Sequence, residues 1–158
     1  MKICLSFAAG GHFDQLMSLM DAFEEHEVFF VTVPSVTTND LFKSKKTYYV
    51  RNGPKPTSTI FDWILLFFYY FYLIFPSLKI LMKEKPDVLI GCGGEATLNL
   101  FYLGKILGKK LIYIESLARI NDISLTGKLI YQICDLYLIQ WKELLEKYPK
   151  AKYWGRVI

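Results

Sequence analysis

The chain is poor in metal-ligating and disulfide chemistry: its 158 residues hold three cysteines and two histidines. No two cysteines form a CxxC pair, so no zinc site is expected. Cys4, Cys92 and Cys134 read as reduced thiols, Cys4 and Cys92 in or at the end of apolar, strand-like runs. The charge excess is only +4, and no basic-aromatic signature accompanies it, so nucleic acid is not indicated as a partner. No GxGxxG turn is present. The second strand-like run ends Thr32-Val33-Pro34, without the acid that would hold a ribose hydroxyl, which argues against nicotinamide dinucleotides. The N-terminus lacks the basic, apolar and small-residue series of a signal peptide. Neither internal repeats nor a low-complexity linker divide the chain.

What is abundant is apolar surface. The hydrophobic fraction is 53% and the aromatic fraction 16%, high values for one soluble domain of this length. On a mildly basic chain, that surplus fits a membrane surface or an obligate partner.

The pattern alternates strands and helices. Residues 2–8 form a β-like run, followed by Ala8-Ala9-Gly10-Gly11-His12 and a helical spacing of Leu16, Leu19, Met20 and Phe23 that predicts a helix over 12–25. Val28 to Val33 is a second strand. Residues 35–46 read as a solvated loop or helix end, 47–50 as a short strand and 52–57 as a loop. Residues 60–84, capped by Ser58 or Thr59, form a helix that is apolar nearly all round. Its uncharged run is shorter than the roughly 20 residues of a full span. Its tyrosines and the lysines that follow suit an interface. The expectation is one-sided membrane contact through Trp63, Leu66, Phe67, Tyr70, Phe71 and Phe75, against the alternative of a core helix.

Val88 to Gly91 is a buried strand that runs into Cys92-Gly93-Gly94-Glu95 and another helix, closed by Gly108. Lys110 to Ile114 is a strand ending at Glu115-Ser116. Ser124 or Thr126 caps a helix over about 127–134. Leu136 to Ile139, a short helix over 141–148, and a terminal strand from Lys152 complete the chain. The expected fold is α/β: a single domain over residues 1–158, Rossmann-like, with a mostly parallel sheet and helices on both faces. Strand ends at one edge of such a sheet form the crevice where ligands bind.

Both glycine turns join a strand to a helix start, where backbone N–H groups and the helix dipole favour anions. Gly10-Gly11 and Gly93-Gly94 are therefore candidate phosphate cradles. The carboxylate of Glu95 disfavours a phosphate at the second, so the first is preferred. His12 adds a side chain that exchanges protons near neutral pH. Glu115, at a strand's end, reads as a carboxylate at a helix start or in an ion pair with Arg119.

The set Tyr113-Ile114-Glu115-Ser116-Leu117-Ala118-Arg119, Leu125-Thr126-Gly127-Lys128-Leu129-Ile130-Tyr131, Asp135, Gln140-Trp141, Lys147-Tyr148-Pro149 and Gly155 resembles a known family. It is that of the acceptor-side, membrane-associating subunits of split UDP-sugar glycosyltransferases. These include the accessory subunit of the dolichol-pathway N-acetylglucosaminyltransferase and bacterial PssD/CpsF-type proteins of capsule and exopolysaccharide synthesis. Both are similar to the N-terminal half of a MurG-type GT-B enzyme.

The resemblance implies a separate small catalytic partner that binds the UDP-sugar, docked near Trp141 and Trp154. It implies a polyprenyl-diphosphate-linked saccharide as acceptor, its phosphates held by Gly10, Gly11, Gly93, Gly94, Ser116 and Arg119. It implies His12 as catalytic base, with Glu115 as the alternative, and no metal or cofactor. A peripheral or monotopic location on the cytoplasmic face of a membrane follows. N-acetylglucosamine, galactose and glucuronic acid all remain open as the transferred sugar. The competing reading is a non-catalytic recruiter that tethers a complete transferase.

Overall fold

Seven strands pair side by side in the computed structural model, which describes residues 1–8, 10–35, 45–50 and 60–157. They are β1 (Lys2–Phe7), β2 (Glu27–Thr32), β3 (Thr47–Tyr49), β4 (Val88–Cys92), β5 (Lys110–Ile114), β6 (Leu136–Ile139) and β7 (Lys152–Tyr153). Their order is β3-β2-β1-β4-β5-β6-β7. All six pairings are parallel, so the expected mostly parallel, Rossmann-like sheet is fully parallel over these strands.

Strand geometry explains why both faces are apolar. Successive side chains alternate between faces. Leu5 lies level with Phe30 on β2 and Ile90 on β4, and all three join one buried cluster with Phe13 and Leu16 of helix α1 (Gly11–Met17). Their neighbours Cys4, Phe29 and Leu89 point the other way. They meet Leu73, Ile80 and Leu81 of α2 (Ile60–Glu84) and Leu100 and Phe101 of α3 (Glu95–Ile106). Full burial of each large apolar side chain contributes roughly 1.5–3 kcal/mol, and two continuous faces of them explain the uninterrupted hydrophobic strands.

Three helix boundaries differ from the sequence pattern. The helix expected over 12–25 is α1 followed by a separate 3₁₀ turn, Met20–Phe23. The Ser18 hydroxyl donates to the Gln15 carbonyl, and the next backbone bond is the tighter Leu19 N–H to Leu16 C=O. The segment over 141–148 is a 3₁₀ turn, Lys142–Leu145. Helix α4 (Leu125–Ile130) starts earlier than expected because Ser124, not Thr126, is its cap, accepting from Gly127 N–H at 2.9 Å. Gly108 does close α3, at φ 68°. Most of the expected loop over 35–46, the loop over 52–57 and the cap at Ser58 or Thr59 lie outside the described residues.

Helix α2 is unevenly covered. Leu73, Ser77, Ile80, Leu81 and Glu84 are buried, whereas Phe61, Trp63, Phe67, Phe68, Phe71 and Phe75 are each more than half exposed. The side chains of Leu66 and Tyr70 lie outside the described residues. By length and composition the stretch Trp63–Glu84 is long and apolar enough to cross a membrane. The core-helix alternative does not fit this degree of exposure.

The buried end of α2 is tied to the sheet by charge. Glu84 accepts from Lys2 at 2.8 Å, from Lys46 at 2.7 Å and from the Tyr48 hydroxyl. Burial pushes its pKa up, but these three donors outweigh it and hold the carboxyl at about 2, against an ordinary 4.5. A depressed folded-state pKa stabilises the fold above the unfolded value and is lost on acidification. Glu84→Gln should therefore lower the melting temperature by several degrees at neutral pH. The difference from the parent should shrink as the pH falls from about 4.5 toward 2, checked by thermal melts across that range.

Candidate functional site

The chain leaves β1 toward β2 on one side of the sheet, and β4 leads to β5 on the other. The neighbouring C-terminal ends of β1 and β4 are thus the topological switch point, where an open parallel sheet leaves a crevice. The two glycine turns meet there. Gly94, at φ 87°, is so close to the first turn that a Cβ on it would lie 2.9 Å from the Ala8 nitrogen. That φ and that contact both require glycine. Beneath it, the Ser6 hydroxyl donates to Thr97 Oγ1 at 2.7 Å, and Thr97 donates to the Gly93 carbonyl at 2.7 Å. This fixes the second turn on the end of β1.

A cavity of about 490 Å³ opens at this point, lined by His12, Gly93, Gly94, Ser116, Arg119 and Ser124, with Ala118, Leu125 and Thr126. Five of the candidate catalytic and phosphate-binding residues, His12, Gly93, Gly94, Ser116 and Arg119, are therefore neighbours. Gly10 and Gly11 are exposed at the start of α1 rather than in the cavity wall. The Glu95 side chain lies outside the described residues.

His12 is half-buried, and its ring packs on Gly93, where a Cβ would come within 2.7 Å of Nε2. Its Nδ1 is 3.5 Å from Cys92 Sγ. Burial lowers its pKa; the Glu115 charge raises it and Arg119 lowers it further. A neutral imidazole is the form that accepts a proton. Burial, helped by the Glu115 charge, pushes the Cys92 thiol up to about 12, so it stays protonated.

Glu115 is 1% exposed and does not line the cavity. Its Oε1 accepts from Ser116 N–H at 3.0 Å. Its Oε2 accepts from Ser124 N–H at 3.0 Å, Ser124 Oγ at 3.2 Å and Tyr137 Oη at 2.6 Å. The carboxylate therefore acts on the 116–124 loop and the α4 cap from below. These bonds, not an ion pair with Arg119, are its contacts.

Tyr137 was not singled out in the sequence, nor was Gln15. The Gln15 amide oxygen accepts from Leu117 N–H at 3.3 Å and Gln140 Nε2 at 2.8 Å. No local pattern could have found these contacts, since their partners are about a hundred residues apart in the chain. Trp141 is partly buried. Its indole N–H donates to the Leu117 carbonyl at 2.7 Å and Arg156 lies 3.9 Å over its ring, so it braces the cavity loop. Trp154 is 73% exposed, beside a second cavity of about 350 Å³ lined by Leu19, Ile114, Leu138 and Val157 among others.

A parallel seven-stranded sheet with this crevice defines a fold class: a Rossmann-like domain, similar in fold to the N-terminal half of GT-B proteins. Among solved structures, MurG of Acinetobacter baumannii superposes with a TM-score of 0.70 at 15% identity, over 89% of this chain and 41% of that one. The UDP-GlcNAc 2-epimerase of Methanocaldococcus jannaschii gives 0.63 at 16% identity, over 97% and 45%. At such identities the likeness is one of fold.

Residues 3–157 match the family described as "Oligosaccharide biosynthesis protein Alg14 like", and the chain belongs to that family. It is 30% identical to the UDP-N-acetylglucosamine transferase subunit alg14 of Schizosaccharomyces pombe, over 96% of this chain and 80% of that protein. It is 33% identical to subunit ALG14 of Rattus norvegicus, over 76% of this chain and 58% of that one. These relatives do not bear out the PssD/CpsF side of the resemblance.

Gly127 sits where any side chain would press into Tyr137 Oη and Glu115 Oε2. Gly127→Ala should destabilise the protein by about 1–3 kcal/mol, the usual cost of overpacking, measurable as a lower urea midpoint.

Proposed function

We propose that this chain is the acceptor-binding, membrane-docking subunit of a two-component transferase in lipid-linked oligosaccharide synthesis. In this reading a separate partner holds UDP-N-acetylglucosamine. This chain presents a polyprenyl-diphosphate-linked sugar in the cavity beside His12. The observation that carries it is the half-buried histidine in a cavity at the sheet's switch point, in a chain of the Alg14-like family. The acceptor hydroxyl attacks the donor's anomeric carbon, its proton passes to the His12 imidazole, and UDP departs from the partner's side. A base of this kind contributes roughly 10²–10⁴-fold. Arg119, Ser116 and the Gly93-Gly94 turn, which line the cavity, supply donors for the diphosphate. The exposed Trp154 and the neighbouring apolar cavity form the docking face for the partner, where an aromatic anchor is common.

The exposed aromatic residues of α2 are the membrane contact. They are followed along the helix by Lys79 and Lys83, which suit anionic head groups on the cytoplasmic face.

Sugar transfer from labelled UDP-N-acetylglucosamine to polyprenyl-diphosphate acceptors tests the reading, with this chain, its partner, or both. Transfer is expected only with both. His12→Ala should remove at least 10²-fold of the turnover while complex formation and membrane binding persist; near-normal turnover would favour the recruiter reading. Replacing Phe67, Phe71 and Phe75 together by Ser should weaken co-sedimentation with anionic vesicles by about tenfold or more. Burying each of these side chains fully is worth roughly 1.5–3 kcal/mol.

A further inference from the structure

The hydrogen bonds behind the cavity have a direction, and backbone groups set it. Gln140 is buried, at 2% exposure. Its Oε1 accepts from Val157 N–H at 2.8 Å, and its Nε2 donates to the Glu115 carbonyl at 2.8 Å. A backbone N–H can only donate and a backbone C=O can only accept, so the Gln140 amide has one orientation. Its Nε2 therefore also donates to the Gln15 side chain at 2.8 Å, and the group it meets must be an oxygen. The Leu117 N–H donates to the same Gln15 atom, which fixes the second amide independently.

The next link is Cys92. Its Sγ is 3.8 Å from Gln15 Oε1 and 3.5 Å from His12 Nδ1. Gln15 Oε1 has no proton to give, so a hydrogen bond at that contact takes the thiol's S–H. With the S–H so directed, the sulfur is an acceptor toward the imidazole, which pairs it with a proton on Nδ1. The thiol has only one proton, so it cannot serve both neighbours as donor.

We propose that the chain Gln140–Gln15–Cys92 fixes His12 as its Nδ1–H tautomer and thereby presents Nε2, with its lone pair, to the cavity. Cys92, Gln15 and Gln140 are positioning residues. Their role in turnover rests on His12 being the base; the tautomer itself does not. The Nε2–H tautomer is the ordinary preference of a free histidine side chain, so the opposite form is a distinctive signature. A ring held as Nε2–H would meet an incoming hydroxyl with a donor where the reaction needs an acceptor.

The test is ¹⁵N NMR of the full chain with labelled histidine, at a pH where the ring is neutral. There are two histidines, so His26→Gln assigns both, and long-range proton–nitrogen correlations read which nitrogen carries the proton. The parent should show His12 protonated at Nδ1. Gln15→Leu removes the acceptor that draws the S–H away. The thiol then turns to donate to Nδ1, and the ring shifts to predominantly Nε2–H. Gln15→Glu keeps an acceptor there and should retain Nδ1–H. Gln15 is partly exposed, so these variants test the chain without emptying the core as Cys92→Ala would. With the partner present, Gln15→Leu should lower kcat several-fold at unchanged KM, and Gln15→Glu should restore it. An Nε2–H ring in the parent, or an Nδ1–H ring that persists in Gln15→Leu, overturns the proposal. Full turnover in His12→Ala with the tautomer as expected would overturn the base reading instead.

Discussion

The buried carboxylate of Glu115 is the constraint on which the rest of the site depends. Removing a charge from water is costly unless its lone pairs are filled. Here the compensation comes from neutral donors: two backbone N–H groups, the Ser124 hydroxyl and the Tyr137 phenol. Those donors come from β6, from the strand end and from the loop that caps α4. Satisfying one charge therefore fixes three elements against one another. Gly127 has no side chain because Glu115 Oε2 and Tyr137 Oη occupy its Cβ space. The charge also acts at a distance. It helps burial raise the Tyr137, Tyr113 and Cys92 pKa values, and it partly offsets the burial that lowers His12.

The sheet was legible in the chain because its strands are buried on both faces. Lys2–Phe7, Val88–Cys92, Lys110–Ile114 and Leu136–Ile139 stand out as apolar runs without needing a partner to explain them. The end of α1 was less legible for a physical reason. Leu16, Leu19, Met20 and Phe23 all pack on one face of the sheet, and a spacing of three serves a 3₁₀ turn as well as an α-helix. Ser18, which separates the two, carries its signal in a hydroxyl bond that hydropathy does not see.

The site was legible only as far as its residues are local. A glycine turn followed by a histidine can be read from neighbours in sequence, as can Ser116 and Arg119 after a strand. Gln15, Cys92 and Gln140 cannot, because their meaning is a contact 77 or 125 positions away. Glu115 could be read as a base or as a carboxylate at a helix start, and its sequence neighbours do not choose between them. A carboxylate at a strand end reads as reactive until the donors that surround it are placed. The strand order supplies them by bringing β6 beside β5.

Helix α2 has a mechanical consequence. It is clamped at one end, where Glu84 meets Lys2 and Lys46, and beyond Leu73 most of its described aromatic side chains are exposed. That is the arrangement of a cantilever. A load on the free half is delivered to the first residue of β1, about 20 Å along the strand from the glycine turns at its other end. The parallel sheet lies between them as a stiff plate. A protein built this way can be pushed and tilted by whatever holds its helix while the geometry around His12 stays undistorted.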